Sequence, residues 1–221
     1  MDNDRIHRAF SADGTEIAGR VHGQGPPLVL FHGAPHDGDL AWEALVPHLA
    51  DRFTCYLPSW RGRGLSADSE DRTPPRHRED ATFQQVGAAV AEGRLADAAR
   101  AFHPFVASDD ELAALDADYY ERSGTAFPPL LRTLQATQTY EGPRATDPES
   151  MSRISVPVLL LRGQQTRRAT FYADTERYVA QHVADPHVRE LPGVGHFAPT
   201  HAPEPVAEAF VSFFGTIRQP A

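Results

Sequence analysis

The sequence predicts an α/β protein: a mostly parallel sheet with helices on both faces and a small helical cap inserted into it. Three observations carry that expectation. Wholly apolar runs at residues 28–31 and 156–161 are bounded by structure breakers, which is how strands buried on both faces read. A helix-spaced segment at 40–49 links the first run to a further short strand at 53–57, and strand, helix, strand in that order makes a parallel crossover. A series of short helical segments then separates these strands from the later ones. The expected division is residues 1–80 for the first part of the core, 81–150 for the cap and 151–221 for the second part of the core.

Taken in order, residues 6–11 and 15–21 flank Asp13-Gly14, a pair suited to a tight hairpin, so the chain opens with two antiparallel strands. In the helix at 40–49, Leu40, Leu45 and Leu49 share a side, and Asp39 is read as its N-cap. Residues 68–80 carry charge and Pro74-Pro75 without apolar periodicity, and read as an exposed loop. Helices are expected at 83–91, 95–106, 110–122 and 128–137, the third capped by Asp109 or Asp110. After the strand at 156–161 come a helix at 169–183, a strand at 187–191 and a last amphipathic helix at 204–217, with Phe210, Phe213 and Phe214 on its core face.

Composition removes several classes of function. A length of 221 residues with 41% hydrophobic content supports one sizeable globular unit. Net charge is −9, from 30 acids and 21 bases, all arginine, which argues against nonspecific nucleic-acid binding through neutralised phosphates. The cluster Arg72, Arg76, Arg78 is diluted by Asp71, Glu79 and Asp80 and reads as a solvated loop. The single cysteine, Cys55, lies in an expected strand and reads as a buried apolar side chain. No apolar run is long enough to cross a bilayer, and the first residues are acidic where a signal peptide is basic, so a cytoplasmic location is expected. Oligomeric state is left open.

Four stretches bear on chemistry: residues 28–35 with His32-Gly33-Ala34-Pro35, residues 59–66 with Arg61-Gly62-Arg63-Gly64, residues 156–163, and residues 191–199 with Gly193-Val194-Gly195-His196-Phe197. In this order they resemble the α/β-hydrolase superfamily, particularly its small bacterial esterase-like members with a helical cap. The resemblance implies that His196 is the catalytic histidine. It further implies that His32, Gly33 and Ala34 form the oxyanion and substrate-binding loop.

The departures from the family pattern are as informative. No G-x-S-x-G nucleophile turn is present. Gly64-Leu65-Ser66-Ala67-Asp68 comes nearest, and Ser66 reads as a turn hydroxyl bonding its own backbone. Ser59 stands where the family has an acid before the arginine, and Thr166 where it commonly has the triad acid. Asp174 reads as a surface acid. The chain runs from the turn after the strand at 53–57 straight into cap-like helices. It thus resembles a truncated α/β-hydrolase lacking its nucleophile strand. To close the sheet, the strand at 28–31 would have to pair directly with that at 156–161; failing that, each exposes an apolar edge.

Three functions follow as expectations. The first is a hydrolase of small esters or related acyl or epoxide substrates, weakened or silenced by the missing nucleophile. The second is a non-catalytic binding protein or the product of an internally deleted gene. The third keeps His196 as a general base in proton transfer or a cofactor-free oxygen reaction. The expected partner is a small-molecule substrate or ligand, with no cofactor. No metal is expected, because His22, His32, His36 and Asp37 lack a spacing that fixes ligands on one element.

Overall fold

The computed structural model describes residues 5–11, 13–33, 35–68 and 81–216, without the side chains of residues 138 and 139. The loop expected at 68–80 with its arginine cluster, Ala34 of the expected oxyanion loop, the extreme N-terminus and the last residue of the final expected helix lie wholly or largely outside them.

The chain opens with β1 (Ile6–Phe10) and β2 (Glu16–Gly23), paired antiparallel around Asp13-Gly14. Next come β3 (Pro27–Val29), α1 (Gly38–Trp42), a 3₁₀ turn at Val46–His48 and β4 (Thr54–Pro58). β3 pairs parallel with β4, as a crossover requires, and β2 pairs antiparallel with the other side of β4. The order is β1-β2-β4-β3, which leaves β3 at an edge. The helical run comprises α2 (Ala81–Ala91), α3 (Leu95–Phe102), α4 (Asp109–Ala113), α5 (Ala117–Gly124) and α6 (Phe127–Thr139), with a 3₁₀ turn at His103–Phe105. Then follow α7 (Pro148–Ser152), β5 (Pro157–Gly163), α8 (Ala169–Ala180), β6 (Asp185–Leu191), α9 (Ala198–His201) and α10 (Pro203–Thr216). β5 and β6 pair parallel in a sheet of their own.

Several expectations are corrected. The cap of α1 is Asp37, whose carboxylate accepts from Leu40 N at 2.8 Å, while Asp39 is engaged with Arg20 at 2.9 Å. The expected helix at 110–122 breaks in two, because Asp116 caps a new helix through Tyr119 N at 2.8 Å. The cap of α4 is Ser108, not Asp109 or Asp110, since Ser108 and Glu111 close a reciprocal capping box. Of the three phenylalanines of α10, Phe210 packs on the core, whereas Phe214 lies at its margin, 39% exposed and edge-on to Phe53.

The main correction concerns the sheet. Among the described residues β3 and β5 do not pair: each ends its own sheet, and side chains of the two sheets meet in one core. Leu28, Leu30, Cys55 and Leu57 from the first share one apolar cluster with Leu161, Leu191, Val194 and Val206 from the second side. The apolar runs are accordingly not covered on both faces. Val29 is 51% exposed, Phe31 57% and Val156 62%. A wholly apolar run states that both faces need cover but does not name the neighbour, and nothing in either strand fixes a register between them.

A second apolar cluster lies within the helical run, built from Val86, Ala98, Phe102, Phe127, Leu130 and Leu131, and Phe197 of the histidine turn reaches into it. Cys55 is fully buried, and burial pushes its thiol up to about 11. The folded chain should therefore resist alkylation by iodoacetamide at pH 8 and react only once unfolded, because the thiolate is the nucleophile. Full labelling of the folded chain, read by intact mass, would contradict this burial.

Candidate active site

The histidine turn follows β6 and is held from two directions. From β5, Gln164 N donates to Leu191 O at 3.0 Å and Gln165 N to Val194 O at 2.8 Å. Only glycine fits at 163, because a side chain there would run into the backbone carbonyls of Val194 and Gly195. From the helical run comes Glu111, 8% exposed, whose Oε1 accepts from Phe197 N at 2.6 Å while Oε2 accepts from Ser108 N at 2.9 Å and Ser108 Oγ at 3.1 Å. A side chain at Gly195 would collide with that carboxylate.

His196 stacks on Tyr172 at 5.0 Å between ring centroids and lines a cavity of about 500 Å³. Among the described residues neither ring nitrogen makes a hydrogen bond. Burial lowers its pKa, and the charge of Glu111 opposes that shift. Glu111 is thus a carboxylate close to the histidine that sequence reasoning missed. The Ser108-x-x-Glu111 spacing signals the cap; nothing local signals the second partner.

The loop at 32–36 reaches the same region, since His36 packs edge-on against Phe197 at 6.1 Å. His32 is buried and serves as a brace. Its Nε2 accepts from Trp60 N at 3.0 Å, which leaves Nδ1–H to donate to Gly33 O at 2.8 Å, and Trp60 Nε1 donates to His32 O at 2.8 Å. Gly33 is exposed with open space around it. Burial lowers His32 to about 4, His103 to about 4 and His36 to about 3, so this end of the molecule holds its histidines neutral. Arg63 is buried beside them, its Nε without a partner, and its charge contributes to lowering His32 and His36.

The remaining candidates are occupied elsewhere. Ser66 Oγ donates to Ser59 O at 2.7 Å and accepts from Ala18 N at 2.9 Å, a buried structural hydroxyl. Ser59 Oγ accepts from Gly38 N at 3.0 Å. Arg61 binds Asp13 and Thr15 of the opening hairpin, fixing the turn after β4. Asp174 pairs with Arg177 at 2.9 Å on the exposed side of α8. Thr166 is buried with its Oγ1 unpartnered and lines the same cavity as His196. Among the described residues, no group of three or more His, Cys, Asp or Glu side chains converges as a metal site.

Strand order, the loop after β3 and the histidine turn after the last strand define an α/β-hydrolase framework. Residues 26–106 match the family described as alpha/beta hydrolase fold. The chain is similar in structure to an alpha/beta hydrolase from Sphaerobacter thermophilus, with a TM-score of 0.65 and 21% identity over 94% of this chain and 100% of that one. The chain thus has the α/β-hydrolase fold. Among curated relatives it is 38% identical over 48 residues to a pyrrolizixenacetamide deacetylase of Xenorhabdus hominickii, covering 22% of this chain. It is 42% identical over 45 residues to a pimeloyl-[acyl-carrier protein] methyl ester esterase of Legionella pneumophila, covering 20% of this chain. The matched stretches span 18% of either relative's length.

Proposed function

We propose that this chain carries the histidine and oxyanion-loop parts of an ester-hydrolysing site without the strand that bears the nucleophile, and that alone it is inactive or nearly so on small esters. In this reading His196 is the base, the loop at His32, Gly33 and Ala34 is one half of the oxyanion hole, and α2–α6 form a cap over the site. The observation that carries the reading is the break in the sheet. Among the described residues β3 and β5 each end a sheet with an unpaired edge, where a member of this superfamily has the nucleophile strand between them. The ring nitrogens of His196, without a hydrogen bond among the described residues, and Thr166 in place of an acid support the same conclusion. Loss of a nucleophile leaves only the rate enhancement of the remaining groups, and half of the oxyanion hole belongs to the residue after the nucleophile.

The second reading is a non-catalytic binding protein or the product of an internally deleted gene, and the exposure of Val29, Phe31 and Val156 favours it. Hydrolysis of p-nitrophenyl acetate tests the proposal. The expected rate equals that of the His196→Ala variant, and any residual rate reflects surface groups. Turnover lost on His196→Ala would overturn it.

A further inference from the structure

We propose that the cavity beside β5 is a receptor slot for one extended, uncharged, apolar peptide strand contributed by another polypeptide. The inference rests on the reading that a strand is absent from the sheet. Among the described residues β5 pairs along one side only, with β6, and the five consecutive residues Leu159–Gly163 line the cavity. Its walls are Tyr172, Thr175 and Val179 of α8, and Trp42, Val206 and Phe210 of α1 and α10.

Three features define the occupant. The unpaired side of β5 offers main-chain groups that only another main chain satisfies in register. Two buried polar atoms in the lining have no partner, Thr166 Oγ1, on a residue only 5% exposed, and Trp42 Nε1. A peptide backbone supplies the carbonyl that an indole N–H needs and both groups that a hydroxyl can use. Finally, the one cation of the lining, Arg162, is already matched by Glu176 at 3.4 Å and by Glu190. An uncharged apolar strand therefore enters without stranding a charge, and a charged one does not. Among the described edge strands a second copy offers β3, three residues long against the five of the slot, or β1, β5 and β6, each of which carries arginine, so a second copy is a poor occupant.

The probe is an end-blocked, fluorescently labelled peptide of alternating valine and threonine, long enough to run beside Leu159–Gly163, followed by anisotropy. Saturable binding is expected. It should weaken at least about tenfold when a charge enters the slot in Thr175→Glu or Val179→Glu, and vanish when alternate backbone nitrogens of the peptide are methylated. Thr175 is exposed on α8, so its variant should keep the parent melting curve even if the Val179 variant does not. Absence of binding, equal binding of the methylated peptide or of both variants, or displacement of the peptide by self-association of the chain would overturn the slot. Peptide binding does not depend on turnover: a failed peptide with a silent esterase assay removes this inference alone, whereas an active esterase removes the reading beneath it.

Discussion

Lowering the pH from 7 to 5 should remove a large part of the stability of this chain. His32, His36 and His103 are held neutral by burial, with pKa values of about 4, 3 and 4 against 6.5 for the free side chain. Above pH 6.5 neither the folded nor the unfolded chain binds these protons, and the stability is complete. Below 6.5 the unfolded chain takes up protons that the folded chain refuses, until the pH reaches about 4 for His32 and His103 and about 3 for His36. At pH 5 each histidine then costs about 2 kcal/mol, and the three together about 6 kcal/mol, out of a typical total of about 5–15 kcal/mol. The same urea midpoint at pH 7 and pH 5 would contradict this. His36→Gln should flatten the dependence by about 2 kcal/mol at pH 5, provided the variant folds at pH 7. Its ring bonds the Tyr119 hydroxyl at 2.6 Å, and glutamine retains a polar group there.

Removing the carboxylate of Glu111 should be the most damaging single substitution near the histidine turn. Glu111→Ala leaves Phe197 N and Ser108 N without their acceptor and opens a cavity between α4 and the turn. The expected loss is about 3–5 kcal/mol. Glu111→Gln keeps one acceptor and should lose only about 1–2 kcal/mol. The glutamine variant gives a sharper readout than stability. The charge of Glu111 is what raises His196 against the effect of burial, so the histidine should titrate lower in that variant, as seen by NMR. An unchanged His196 titration would show that the carboxylate does not reach the ring electrostatically.

Much of this arrangement was legible because it depends on neighbours in sequence. The hairpin around Asp13-Gly14, the parallel pair β3–β4 and the turn bearing His196 each follow from a breaker pair, a short apolar run or a glycine-rich turn. What was not legible depends on partners far apart. Glu111 declares itself as a cap through Ser108, yet its other oxygen binds a residue 86 positions away. Ser66 was readable as a turn hydroxyl, while its partner Ala18, 48 positions distant, emerges only from the fold. The apolar runs at 28–31 and 156–161 announced strands needing cover on both faces. Whether they would meet was a question of register and space, and the structure leaves them in separate sheets.

In the proposed function His196 faces a site with no nucleophile among the described residues. Intact-mass measurement after incubation with a fluorophosphonate probe tests it most directly, since the probe requires a serine activated by a base. The account predicts an unchanged mass, with Ser59, Ser66 and Ser123 protected by burial and bonded to backbone. A stoichiometric adduct on any serine that disappears in His196→Ala would contradict it.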